Sequence, residues 1–243
     1  MPDLDWNRTF WNDQHPWPES GDEWSVGWGG PRPQWYGAIF PRITRWLPAQ
    51  KILEVAPGFG RWTQFLLRQT DEYYGVDLSP RCVQRCRQRF SAFNRAHFIQ
   101  NDGRSLQMIA DDSVDFVFSF DSLVHVELDV LGPYCEQINR KLNANGVAFI
   151  HHSNALNGVG PDQPHAEGRG KTVSSAAVKQ IIERTGGRVL IQEEVNWAGK
   201  ARIDCMTTFC RTPAYPYLRY KLIENDNFMQ EMALIKASQS QYY

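Results

Sequence analysis

The stretch Lys51-Ile-Leu-Glu-Val-Ala-Pro-Gly-Phe-Gly-Arg-Trp, ending at Trp62, constrains the fold more than any other part of the chain. A short apolar run ends in an acidic residue and a glycine-containing turn, and a helical pattern follows at once. Strand, tight turn and helix in that order build a nucleotide-type cofactor pocket at the carboxyl edge of a parallel sheet. A second run, Glu72-Tyr-Tyr-Gly-Val-Asp77, ends in another carboxylate, at the right distance to meet a ribose.

Further elements continue the alternation. The pattern predicts strands at 51–56, 72–76, 97–100, 113–119 and 147–151, with helices at 36–46, 61–69, 80–90, 129–141 and 174–185. Residues 113–119 have the apolar density of a strand covered on both faces. Residues 189–197 and 202–210 read as a final antiparallel pair. The expected fold is α/β: a doubly wound, seven-stranded, mostly parallel sheet with a C-terminal antiparallel hairpin. Residues 152–172 show no periodicity and read as a long loop of the kind that carries function.

Residues 1–35 stand apart and hold six of the nine tryptophans, interleaved with Pro16, Pro18, Pro31 and Pro33. So aromatic a segment must lay its rings on something, and proline breaks it too often for one regular element. It reads as a cover over the main domain's outer surface, as a lid over the site, or as both. The expected division is therefore an aromatic N-terminal segment, 1–35, and a main domain, 36–243.

Composition narrows the classes of function. At 243 residues, 42% apolar and 22% charged, the chain suits a well-filled globular core. A net charge of -1 gives no polyanion-binding signature, so no nucleic acid is expected as partner. No run is apolar enough to cross a bilayer, and the acidic start lacks a secretory pattern. The five cysteines have no metal-site spacing and read as buried thiols in a reducing compartment. The expectation is a cytoplasmic protein without membrane attachment; homo-oligomerisation stays open.

Gly58 and Gly60 allow a tight turn and close approach of a ligand. The turn lacks the Gly-Lys-Ser/Thr of a triphosphate cradle, and Phe59, Arg61 and Trp62 crowd the place a dinucleotide's pyrophosphate would take. Glu54 repels phosphate but suits a positively charged aminoacyl group, which favours a sulfonium cofactor over a dinucleotide.

Over about residues 50–151 the chain resembles the class I S-adenosylmethionine-dependent methyltransferases, whose fold is Rossmann-like. The resemblance maps the family's acidic residue and glycines onto Glu54, Ala56, Gly58 and Gly60, with Ala56 replacing the common glycine. It implies that Asp77 accepts from the ribose hydroxyls, Leu78 lies beside adenine and Asp102 addresses its exocyclic amine. Trp62, Asn101, Gly103, Ser119 and Phe120 complete the implied cofactor set. Asp115-Phe-Val-Phe-Ser-Phe-Asp-Ser-Leu-Val-His125 matches the segment lining the methyl-transfer site, and Arg140-Lys-Leu-Asn-Ala-Asn-Gly146 the turn before the fifth strand.

A hydroxyl acceptor needs a group to take its proton, and Asp121, His125, His151 and His152 are the candidates. Successive strand residues point to opposite faces, so His151 and His152 are expected to differ in role. Asp121, His151 and His152, with Asp162 or His165, also offer ligands for Mg2+ or another divalent cation, although histidine-rich sets suit magnesium poorly. Phe149-Ile-His-His-Ser-Asn154 and Ile203-Asp-Cys205 are similar to a subset of bacterial sugar O-methyltransferases. The resulting expectation is methyl transfer to a hydroxyl of a small polar acceptor, a saccharide or natural-product intermediate. N-methylation of a small amine, or a non-catalytic scaffold, are the alternatives. Arg81, Arg85, Arg87 and Arg89 read as a solvated helix face.

Overall fold

The computed structural model describes residues 3–158, 168–197 and 199–239. Eight strands form one sheet in the order β3-β2-β1-β4-β5-β7-β6-β8. They are β1 (Ala49–Val55), β2 (Thr70–Asp77), β3 (Ala96–Gln100), β4 (Val114–Ser119), β5 (Leu142–Ser153), β6 (Gly187–Trp197), β7 (Lys200–Arg211) and β8 (Lys221–Asn225). The α-helices among the described residues are α1 (Leu4–Thr9), α2 (Pro31–Gln34), α3 (Phe40–Ile43), α4 (Thr63–Leu66), α5 (Pro80–Arg89), α6 (Leu128–Lys141), α7 (Ala155–Gly158), α8 (Ser175–Arg184) and α9 (Phe228–Ala237). The pairs among β1 to β5 are parallel, β7 runs antiparallel to β5 and β6, and β8 pairs parallel with β6. The eighth strand adds to the seven read from the pattern. It is short, lies at the edge and is only partly buried, so it carries too little alternation to stand out.

Strand periodicity sorts the core into two layers. Ile52, Phe116, Phe118 and Phe149 pack on one face, while Leu53, Val55, Val117, Ala148 and Ile150 pack on the other. The second face is covered by α6 (Leu128–Lys141) and α8 (Ser175–Arg184) through Leu131, Ile138, Val178 and Ile182. The first is covered by α5 (Pro80–Arg89) through Val83 and Cys86, and by the N-terminal segment through Trp28, Trp35, Ile39 and Ile43. Ser79 caps α5, accepting from the Cys82 amide, and Pro80 occupies the first turn, where its missing N–H costs nothing.

The expected helix at 36–46 is present but irregular: a wide π turn over Trp35–Ile39, an α turn over Phe40–Ile43 and a tight 3-10 turn over Thr44–Trp46 follow one another. Pro41 has no N–H to return to the previous turn, and the chain between Trp35 and Ile39 widens so that the Phe40 amide reaches Trp35 O. The expected loop from 152 is partly strand, since β5 runs on to Ser153 opposite Asp204. Among the described residues no helix is long and apolar enough to cross a membrane.

Trp35 is 1% exposed and stacks on Phe65 at 5.0 Å and 9°. If the aromatic segment belongs to the core, Trp35→Ala should cost about 3–5 kcal/mol in urea denaturation. A loss below about 1 kcal/mol would mean that the segment merely rests on the surface.

Candidate active site

The β1–α turn is held by Asp77. Its Oδ2 accepts from the Gly58 amide at 3.0 Å and its Oδ1 from the Ser79 amide at 2.8 Å. Burial pushes the Asp77 carboxyl up to about 6, and these amides pull the other way. Ala56 adopts a left-handed φ of 57°, a conformation that costs a residue with a Cβ on the order of 1 kcal/mol. Its amide is tied to Val76 O at 2.7 Å and its carbonyl to Ser122 Oγ at 2.8 Å. At Gly58 a Cβ would come within 2.9 Å of the Trp17 ring. At Gly103 it would collide with Leu4. Both glycines thus let the N-terminal segment lie directly on the sheet edge.

Under that segment is a cavity of about 380 Å³. Its floor is Val55, Ala56, Pro57 and Gly58, with Asp77, Leu78 and Gly103 to one side; Leu4, Asn7, Trp11, Trp17 and Trp24 close it from above. Trp17 stacks on Phe59 at 4.3 Å and 6°, and Asn7 donates to His125 O at 2.7 Å. Three of the four arginines of α5 hold the same segment and are not a free solvated face. Arg81 donates to Asn12 O and His15 O, Arg85 to Ser20 Oγ, and Arg89 to Ser20 O and Phe59 O. Arg87 instead donates to Phe98 O.

A buried row of charges crosses the other end. Arg61 Nη2 meets Asp121 Oδ2 at 2.8 Å, and Asp121 Oδ1 lies 3.2 Å from His151 Nδ1. His151 Nε2 is 3.6 Å from Asp204 Oδ2, which Arg169 grips through Nε and Nη2 at 2.9 Å each. Burial alone would push both carboxyls up, but Arg61 and His151 beside Asp121, and Arg169 and His151 beside Asp204, hold them below the ordinary carboxylate range. Burial would push His151 down; bonds and charges from Asp121 and Asp204 outweigh it and raise the ring above its ordinary value.

His125 lines the cavity, with Nδ1 bonded to Gly168 O. A carbonyl only accepts, so Nδ1 carries the hydrogen and Nε2 keeps its lone pair. Burial, with help from Arg169, pulls this histidine down to about 4, leaving it neutral near pH 7.

The expected site residues fall into two groups. Ala56, Gly58, Trp62, Asp77, Leu78, Gly103, Phe120, Asp121 and His125 line the cavity. Glu54 does not: its Oε2 accepts from Tyr73 at 2.5 Å and Thr63 at 2.7 Å beneath the turn, off the cavity wall. Gly60 makes room for Phe90. Asn101 bonds to Gly103 N, Ser105 O and Tyr134 OH. Asp102 is exposed and accepts from the Arg104 and Ser105 amides, so it closes a turn away from the cavity wall. Ser119 is buried and donates to Val55 O.

His151 stands behind Asp121 rather than on the wall. His152 is turned to another side, its ring bonded to Ser153 O at 2.8 Å and Thr207 Oγ1 at 2.7 Å. Asp121, His151 and His152 therefore do not converge on an ion, and no group of three or more His, Cys, Asp or Glu among the described residues could hold a metal. Asp162 and His165 lie outside the described residues. Arg61, Arg169, Asp204 and Trp197 were not picked out as site residues from sequence. Asp204 had a signal, since it lies in the Ile203-Asp-Cys205 segment now seen paired with β5.

An adenosyl sulfonium fits these walls. Asp77 offers a buried carboxylate, Leu78 an apolar flank, and Gly58 and Gly103 backbone without side chains. Residues 52–146 match the family model for a methyltransferase domain. No curated protein matches the chain. The chain is similar to the PH0226 protein of Pyrococcus horikoshii OT3, with 19% identity over 84% of this chain and 96% of that one and a TM-score of 0.59. An S-adenosylmethionine-dependent methyltransferase of Mesorhizobium loti shares 14% identity over 74% of this chain and 98% of that one, TM-score 0.58. The CcbJ methyltransferase of Streptomyces caelestis shares 15% over 76% and 92%, TM-score 0.57. These likenesses establish the Rossmann-like methyltransferase fold.

Burial pushes the Glu54 carboxyl up to about 7, against the Tyr73 and Thr63 bonds. A carboxyl that holds its proton more tightly folded than unfolded stabilises most below its unfolded pKa, and that contribution is lost as pH rises through about 7. Glu54→Gln keeps an oxygen for both donors and removes the titration. Its melting temperature should gain on the wild type between about pH 4.5 and 7 and hold that lead above. A lead that does not change with pH would contradict a buried, neutralised Glu54.

Proposed function

Because residues 52–146 carry a methyltransferase domain on this fold, we propose that the protein transfers a methyl group from S-adenosylmethionine to a hydroxyl oxygen of a small polar acceptor, a saccharide or natural-product intermediate. The observation that carries the reading is a ring nitrogen with a fixed lone pair, on His125, in the same cavity as Asp77 and the Gly58 turn. Asp77 would hold the ribose hydroxyls, with Leu78 against the adenine. When bound, the cofactor supplies a methyl group already activated by its sulfonium.

This chain's own groups then have two tasks: to align the hydroxyl oxygen and to receive its proton. Asp121 faces the cavity as a carboxylate and orients the hydroxyl by accepting from it. His151 keeps Asp121 in place from behind. His125 Nε2 receives the proton as the oxygen is alkylated, and the Nδ1 bond to Gly168 O stabilises the charge that then develops on the ring. The residue 4–28 strap acts as a lid, since Trp11, Trp17 and Trp24 line the cavity, and indole faces suit the apolar side of a sugar ring.

Mass spectrometry of a panel of sugars, phenols and amines incubated with protein and S-adenosylmethionine tests the reading. A hydroxyl-bearing acceptor should gain one CH2, and His125→Gln should lower kcat about a hundredfold or more with cofactor Kd held within about twofold. If only amines are methylated, and His125→Gln turns them over at the wild-type rate, the oxygen assignment is wrong.

A further inference from the structure

Arg169 has a donor that its carboxylate partner does not use. Asp204 occupies Nε and Nη2, and Nη1 has no partner among the described residues. The guanidinium lines the cavity with its side chain 15% exposed, and its Cζ lies 5.8 Å from the centroid of Trp197, which lines the same wall. Arg61 is placed alike: Nη2 is spent on Asp121, Nη1 reaches Ser25 Oγ at 3.3 Å, and Nε has no bond among the described residues. Two arginines thus bring spare N–H groups to the end of the cavity away from Asp77.

Arg61 and Arg169 are offset by Asp121 and Asp204, and the Asp121 amide donates to His151 Nδ1 at 3.2 Å, which leaves that ring nitrogen its lone pair. A buried donor without an acceptor is costly, and a ligand oxygen beside the two arginines supplies one. Arginine donors in a fixed planar fork match a carboxylate well.

We propose that Arg169, beside Trp197 and with Arg61 alongside, forms a subsite for a carboxylate on the methyl acceptor, so that the preferred acceptors are hydroxy acids rather than neutral alcohols. This inference rests on the hydroxyl-methylation reading and narrows its substrate class. A carboxylate at this place has a second source, the aminoacyl group of the cofactor itself, and the two sources are separable by experiment.

The test uses full-length protein saturated with S-adenosylhomocysteine and matched probes: D-glucuronate against D-glucose, and 4-hydroxybenzoate against its methyl ester. Calorimetry should show the acid of at least one pair binding about tenfold tighter than its neutral counterpart, the scale of one charge-assisted bond. Arg169→Gln should abolish that preference while leaving cofactor affinity within about twofold. Since this variant leaves Asp204 unpaired, the double variant Arg169→Gln/Asp204→Asn, which buries no lone charge, should fold and lose the preference equally. Equal binding of acids and neutral counterparts, or no binding by either acid, overturns the proposal. So does a tenfold loss of cofactor affinity in the double variant, which would assign Arg169 to the aminoacyl carboxylate. Methyl transfer to neutral hydroxyls with either of the first two results would leave the proposed function standing and remove only the subsite.

Discussion

The Asp77 carboxylate ties the ends of two neighbouring strands together. One oxygen holds the amide of Gly58 in the turn after β1, and the other holds Ser79 at the start of α5. The Ser79 amide would otherwise be buried without a partner, and the Gly58 amide is half-buried beside the cavity. Together they fix the turn that floors the cavity and the helix whose arginines clasp the aromatic strap. Removing this one group would loosen the floor and, through Ser79 and α5, the roof.

The aromatic N-terminal segment divides its tryptophans between the core and the cavity. Trp28 and Trp35 are core, nearly inaccessible, whereas Trp11, Trp17 and Trp24 line the cavity. Arg81, Arg85 and Arg89 recur every four residues along α5, so one helix face meets successive acceptors of the strap. Their bonds go largely to main-chain oxygens, which explains how an irregular, proline-broken segment satisfies its backbone without strand or helix pairing.

Seven of the eight strands were legible from sequence as short apolar runs bounded by turn signals, and the Gly58 turn and Asp77 followed from position at strand ends. Glu54 was misplaced for a physical reason. It lies on the same sheet face as Ile52, and Thr63 and Tyr73, distant in pattern, reach it there. Asp102 was misplaced because a carboxylate before glycine serves a turn and a ligand equally well on paper. The neighbours of His151 were legible only in part: Asp121 was grouped with it as a strand-end candidate, and Asp204 was merely hinted at by the Ile203-Asp-Cys205 segment. Asp121, Asp204 and Arg169 come from three separate segments, and only the pairing of β5 with β7 brings Asp204 alongside.

Asp77 holds the turn through the Gly58 and Ser79 amides, and under the proposed function it holds the adenosyl cofactor as well. Calorimetry of S-adenosylmethionine binding to wild-type protein and to Asp77→Asn, which keeps an oxygen for one amide but loses the charge, addresses it most directly. Saturable wild-type binding, weakened at least about tenfold in a variant that still folds, is expected, since bonds to a charged acceptor contribute about 1.5–3 kcal/mol. Equal affinity in the two proteins, or no wild-type binding at millimolar cofactor, would contradict it.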